Sequence, residues 1–214
     1  MRFIILTFPL ILLFVKHSNA QIVDTTGKVS IKTSYLGTIL YPGFKVGMEF
    51  PYSVKEIRKS RKDRVKVILK EQSWNLNLGF YHHATFHDNL FFVAEWQRRR
   101  QKQKGWFYDF TPGLGYSRTF LGGTTYTVDD KGTVDVKKMA GYNYLLLSIG
   151  YGVGYNFEYR SGAPIRIYSK MGLISLLPYN SFFYVRPTLE IGCVYKIDRV
   201  FSSKVKYSSK LKTR

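Results

Sequence analysis

One cysteine, Cys193, stands among 214 residues, so no disulfide within the chain can staple it. Acids are scarce as well: 14 Asp and Glu face 33 Lys and Arg, a formal charge of +19. With 45% apolar residues, 17% of the chain being aromatic, the composition still excludes a disordered polycation and provides for a substantial core. After residue 20 there is no run of 18 apolar residues and no sustained 3.6-residue stripe, which leaves neither a membrane-spanning helix nor a helical bundle. No histidine follows His87, so nothing in the sequence sets a base beside Ser117 or Ser148, and a hydrolase is not expected. Gly150, Gly152 and Gly154 lack the strand-turn-helix setting of a nucleotide loop, and no cofactor is implied.

The first 20 residues read as an export signal. Arg2 precedes an apolar run from Phe3 to Val15, and Ser18 and Ala20 are the small residues of a cleavage site ahead of Gln21. The run holds 13 residues where a spanning helix needs about 20, and no cysteine near the cleavage point offers a lipid anchor. Exported, Cys193 is a lone thiol, read here as a small apolar residue. Export also argues against a nucleic-acid partner for the basic surplus.

What the mature chain has in abundance is period two. Leu145, Leu147, Ile149, Tyr151, Val153, Tyr155 and Phe157 alternate with Ser148, Gly150, Gly152, Gly154, Asn156 and Glu158. Residues 106–121 and 183–195 repeat the pattern, and weaker alternation marks 28–39, 43–52, 72–82, 89–99 and 165–176. Strands this long exceed the usual ~5 to 6 residues and match the ~9 to 11 that a tilted strand needs to cross a bilayer. A soluble calyx would turn a Lys- and Glu-rich face to water, whereas here the second face is largely Gly and Ser. The expectation is therefore an all-β, eight-stranded, antiparallel up-and-down transmembrane barrel over 21–197, with a basic C-terminal tail at 198–214. The aromatic face meets lipid, and Trp74, Trp106, Tyr142, Tyr144, Tyr159 and Tyr184 are candidate girdle residues.

The small-residue face carries Lys45, Glu49, Glu95, Asp109, Glu158, Arg166, Lys170, Arg186, Glu190 and Lys196. Inside a narrow barrel these should pair with one another, because an unpaired charge there is expensive. His82, His83 and His87 have a spacing that could hold a metal, yet adjacent strand residues face opposite ways; only His83 and His87 remain as metal candidates, and turn or belt roles are favoured over a site.

Glu190, Gly192, Tyr195 and Ile197 resemble the C-terminal insertion signal of outer-membrane barrels, with Ile197 where an aromatic is usual and 17 residues following. That resemblance implies recognition by the barrel assembly machinery and a periplasmic end for the last strand. Turns at 40–43, 83–88, 122–141 and 177–181 then face outward, and those at 53–71, 100–105 and 160–164 face the periplasm. The 53–71 segment is either a strand extension, since Val65, Val67 and Leu69 alternate with Lys66, Ile68 and Lys70, or a short rim helix.

Residues 77–83, 89–95 and 112–120, with Pro42 to Gly47 and Gly150 to Tyr155, resemble segments of small outer-membrane barrels common in Bacteroidota. The similarity covers most of 40–197 and implies fold and a Gram-negative outer-membrane location, with a non-enzymatic structural or surface-interaction role. A small-solute channel, a lipid-modifying enzyme and a secreted calyx are the alternatives. Bases cluster at 53–72 (eight against three acids), 97–104 (five against none) and 198–214 (six against one), which together hold +15 of the +17 left after residue 20. All three lie on the periplasmic side of this topology, where they are expected to meet outer-membrane lipids of anionic kind or an acidic periplasmic partner.

Overall fold

In the computed structural model, residues 28–37, 42–61, 64–84, 86–179, 182–197 and 206–213 are described. The expected export signal at 1–20, its cleavage point and residues 40 and 41 of the 40–43 turn lie outside the described residues. The elements run β1 (Ser30–Gly37), β2 (Pro42–Arg61), β3 (Arg64–His83), β4 (His87–Lys102), β5 (Trp106–Leu121), β6 (Tyr126–Val128), β7 (Val134–Val136), β8 (Gly141–Asn156), α1 (Glu158–Ser161), β9 (Ile165–Tyr179), β10 (Phe182–Lys196) and β11 (Lys206–Thr213).

Eight of these close into a ring. Each of β1, β2, β3, β4, β5, β8, β9 and β10 pairs antiparallel with its neighbours in that order, and the short β1 seals the circle. Tyr35 stands opposite Ile191 of β10 and Phe44 of β2. A closed ring satisfies every ladder donor and acceptor, which a sheet in lipid must do. The fold is an eight-stranded antiparallel β-barrel.

Alternation assigns the two faces. Outward along β8 stand Leu145, Leu147, Ile149, Tyr151 and Val153, each between 42% and 60% exposed. Leu76 and Leu78, Leu90 and Phe92, Leu114 and Tyr116, Ile167, Met171 and Leu173, and Leu189 and Ile191 continue this apolar belt around the ring. Trp74 and Trp106 lie on it at 51% and 53% exposure, whereas Tyr142, expected there too, has the inward parity of its partner Thr119 and is exposed at the mouth. An apolar belt around the outside of a closed barrel, broken only by small hydroxyls such as Thr33 and Ser169 among the described residues, is a surface for hydrocarbon, so the barrel spans a membrane. Cys193 is also on this face, partly exposed where lipid would cover it.

Two further girdle expectations are corrected. Tyr144 points inward at 9% exposure, because the β8 alternation beginning at Leu145 fixes the opposite parity for it. Tyr159 sits on α1 and not at a strand end, since β8 stops at Asn156 and the chain turns there. The side chain of Tyr184 lies outside the described residues.

Of the two alternatives for 53–71, the strand extension is the one present. A bulge between Pro51 and Ser53 lets β2 continue to Arg61, paired with β3 down to Arg64. Below the end of β1, the edge of β2 is taken by β11, which runs parallel to it from Lys206 opposite Ser53 to Thr213 opposite Ser60. The basic tail thus contains a strand. At the other end the 122–141 loop holds the β6–β7 hairpin, whose turn is held by the Asp129 carboxylate accepting from the backbone N–H of Lys131 at 3.0 Å and Thr133 at 2.8 Å.

Glycine makes room for rings in the lumen. A Cβ on Gly154 would stand 2.3 Å from the Phe107 ring and 2.5 Å from the Ile167 carbonyl oxygen. Phe107 is fully buried, so it has nowhere to retreat. Gly154→Val is expected to lower stability by about 1–3 kcal/mol, with the folded form still heat-modifiable on gels; urea unfolding in detergent measures it.

Candidate functional site

The lumen is filled in layers. Toward the end bearing the 122–141 loop, Leu36, Tyr81, Phe91, Val93, Tyr144, Leu146, Ile174 and Leu176 form an apolar cluster inside the barrel. The sequence points to a polar and small-residue lumen; the upper half instead holds this apolar plug beside the buried Asn89, Ser117 and Thr119, which hydrogen-bond to one another. Gly79 permits it, since a Cβ there would meet the Phe91 ring at 2.1 Å.

Beneath the plug lies a first ionic centre. Glu190 accepts from Lys45 Nζ at 2.7 Å, from Tyr168 at 2.5 Å and from Ser34 at 3.1 Å, with Lys170 Nζ at 3.1 Å and Lys32 Nζ at 3.2 Å. Glu95 bridges the same lysines, Lys45 at 3.1 Å and Lys170 at 3.4 Å. Thr111 accepts from Lys170 at 3.3 Å.

A second centre follows, organised by arginine. Arg99 donates to both oxygens of Glu49, at 2.7 and 3.2 Å, and to both oxygens of Asp109, at 2.9 Å each. Arg166 reaches Glu49 at 3.1 Å and Glu71 at 3.5 Å. A planar fork between two carboxylates is the arrangement that guanidinium supports and ammonium does not. Lowest in the lumen, Lys196 pairs with Glu158 of α1.

All ten residues expected in the lumen are buried there, none above 7% exposure. Nine take part in these pairs, and the Arg186 guanidinium lies 3.8 Å over the Tyr81 ring under the mouth. Lys32, Glu71 and Arg99 complete the network without having been singled out. Each shares the parity of an expected member or its polar neighbours: Arg99 with Glu95, Glu71 with Asn75 and Asn77, Lys32 with Ser34. Lys32 and Arg99 lie within the expected strands at 28–39 and 89–99, and extending the alternation one residue before 72 would have added Glu71. Among the described residues, these pairs join six bases (Lys32, Lys45, Arg99, Arg166, Lys170, Lys196) with six acids (Glu49, Glu71, Glu95, Asp109, Glu158, Glu190).

Little space remains. Among the described residues, voids of about 30 and 10 Å³ lie along the network, the larger beside Lys45, Glu95 and Lys170 and the smaller beside Lys32, Arg99 and Asp109. Such volumes hold one or two waters. Ser148, whose buried hydroxyl has no hydrogen-bond partner in the protein, lines the larger one.

No family model matches the chain. No curated protein does either. Among solved structures, the chain is similar to Ail, the attachment invasion locus protein of Yersinia pestis, in a crystal structure and in a phospholipid nanodisc. In both cases identity is 11%, 80% of this chain and 99% of the other are covered, and the TM-score is 0.37. The architecture therefore rests on its own strand pairing.

At the mouth, the three histidines separate. His82 turns outward to Asp88, Nδ1 to Oδ1 at 2.5 Å, while His83 and His87 stack in parallel with centroids 5.2 Å apart. Stacked rings present faces to each other and aim their nitrogen lone pairs in the ring planes, not at a shared point. Among the described residues no group of three or more His, Cys, Asp and Glu could hold a metal. Tyr195 and Gly192 of the insertion-like segment lie outward and at the wall respectively, and Glu190 is the lumen carboxylate already described.

His87 lies above the apolar belt, where burial first, then the neighbouring His83 and Arg186, lower its pKa below the ordinary imidazole value. The unfolded chain then binds the proton more tightly, so stability is fullest above about pH 6.5 and declines as pH falls toward the folded-state value. Titration of His87 ring protons in detergent should give a midpoint below about 6.5, moving upward in His83→Asn. In the lumen, Glu49→Gln removes the carboxylate shared by two guanidiniums and should cost about 3–5 kcal/mol. Lys45→Met, which leaves Glu190 with Lys32 and Lys170, should cost less; urea unfolding in a bilayer compares the two.

Proposed function

We propose that this chain is an integral outer-membrane β-barrel of a Gram-negative envelope, of the small Bacteroidota type, whose role is structural or in surface interaction and not catalytic or conductive. The observation that carries this reading is the filled lumen: an apolar plug over a network of ion pairs, with voids of about 30 and 10 Å³. An eight-stranded barrel has an interior only wide enough for its own side chains, and here they occupy it. A solute would have to displace the plug and separate buried ion pairs.

The mouth supports the surface-interaction half. In the β6–β7 hairpin Tyr126 pairs with Val136 and Val128 with Val134, so one face of an exposed ribbon is apolar while Thr127 and Asp135 share the other. All four apolar residues are between 57% and 62% exposed. The orientation that suits this reading puts the hairpin outside the cell and the start of β1 and the end of β10, with β11, in the periplasm.

Purified protein in planar bilayers is expected to give no conductance steps; regular steps would favour the channel. In a Cys193→Ser background, Lys131→Cys should react with an impermeant maleimide on intact cells and Ser208→Cys only after permeabilisation. The reverse result inverts the barrel, and a mature protein soluble without detergent removes it from the membrane.

A further inference from the structure

On the outward side of β2, β3 and β4 the apolar columns end in an aromatic row. Phe50 pairs with Trp74, and Trp74 with Trp96. The Trp96 indole N–H donates to the Tyr52 hydroxyl at 2.7 Å, which fixes this row at the edge of the belt. Interfacial Trp and Tyr settle at headgroup level, with rings toward the hydrocarbon and polar atoms toward water.

Immediately below, the same columns turn basic. Arg98 stands opposite Gln72, Arg100 opposite Lys70, Lys70 opposite Lys55, and Lys102 opposite Ile68. Lys55, Lys66, Arg98, Arg100 and Lys102 are all exposed. The acids of these segments take the other parity: Glu56 and Glu71 face inward at 7% exposure. Strand alternation has sorted the charges by sign, so that among the described residues this outward stretch carries bases and no carboxylate. Two residues advance about 7 Å along a strand, or about 5 Å along the membrane normal at the usual tilt. Arg98 and Arg100 therefore lie about 5 and 10 Å beyond the Trp96 level, at the depth of lipid phosphates.

We propose that the outward face of β2–β4 below the Trp74–Trp96 row is a binding site for phospholipids of net negative headgroup. The proposal rests on the membrane-barrel reading and deepens it. Arg98 and Arg100 supply forks that match phosphate oxygens, and Lys55, Lys66, Lys70 and Lys102 surround them with positive field. A lipid is the favoured occupant because these bases continue the columns that acyl chains contact; its tail lies along Leu76 and Phe92 when its headgroup is at Arg98. A soluble acidic partner would gain the charge but not the apolar columns above it.

The full chain, folded into nanodiscs of equal phosphatidylglycerol and phosphatidylcholine, is extracted in mild detergent and its retained lipids are counted by native mass spectrometry. Each well-placed base contributes about fivefold, so wild type should retain phosphatidylglycerol at least tenfold over phosphatidylcholine. Arg98→Gln/Arg100→Gln/Lys102→Gln should lose most of that preference, and Lys131→Gln/Lys137→Gln/Lys138→Gln at the opposite rim should keep it. No preference in wild type, or an unchanged one in the β4 triple variant, overturns the proposal. So does an acidic peptide that binds wild type in pure phosphatidylcholine discs as tightly as phosphatidylglycerol is held, which would transfer the surface to a protein partner. Heat-modifiable migration is scored on every sample: a shifted barrel without lipid preference refutes the lipid site alone, and a wild type without the shift refutes the barrel along with it.

Discussion

In a closed barrel of eight strands a side chain has two destinations, hydrocarbon or a lumen scarcely wider than itself, and the parity of its position decides between them. Everything else in this molecule follows from that constraint. The run Arg98-Arg99-Arg100 shows it most directly. The middle arginine goes inside and is held by Glu49 and Asp109, while its neighbours go outside to the membrane edge. A sequence-local block of charge becomes two different devices three residues long.

The lumen charges are not evidence of exceptional stability. A buried ion pair returns roughly what its desolvation takes, and well-packed apolar residues of the same volume often do as well. What the network supplies is mutual dependence: Glu49 serves both Arg99 and Arg166, and Glu190 serves three lysines. Removing Glu49 weakens two guanidiniums at once, leaving Arg99 to Asp109 and Arg166 to Glu71. The apolar plug above it has no such coupling, and depends on glycine at the walls to seat Phe91.

The strand count, the ring and the lumen address of all ten expected charges were legible in the sequence, because period two is a strong signal wherever one face is apolar. It failed where both faces become alike. Tyr144 and Leu146 are as apolar as Leu145 and Leu147, so the plug was hidden in a run that reads the same on either side. The lower parts of β2 and β3 were harder still, because a bulge at Pro51–Ser53 shifts the register and the outward residues there are Lys and not Leu. Only three-dimensional placement shows that Lys55, Lys70 and Arg100 adjoin. The histidine cluster fell apart for the reason strand geometry predicts, with His82 alone turned outward.

The parallel pairing of β11 with β2 bears on how this protein stays apart from its copies. Because β1 is only eight residues long and β2 twenty, β2 would otherwise present some eight residues of unpaired backbone below the barrel, a template for any extended chain. The C-terminal strand occupies that template and becomes the outermost strand itself, with no second neighbour among the described residues. Its sequence, Lys206-Tyr207-Ser208-Ser209-Lys210-Leu211-Lys212-Thr213, spaces three lysines along the new border. Lysine on a border strand repels a second copy of the same strand. A barrel that has abolished its edges within the membrane thus ends, outside it, in a border where like charge discourages fibre growth.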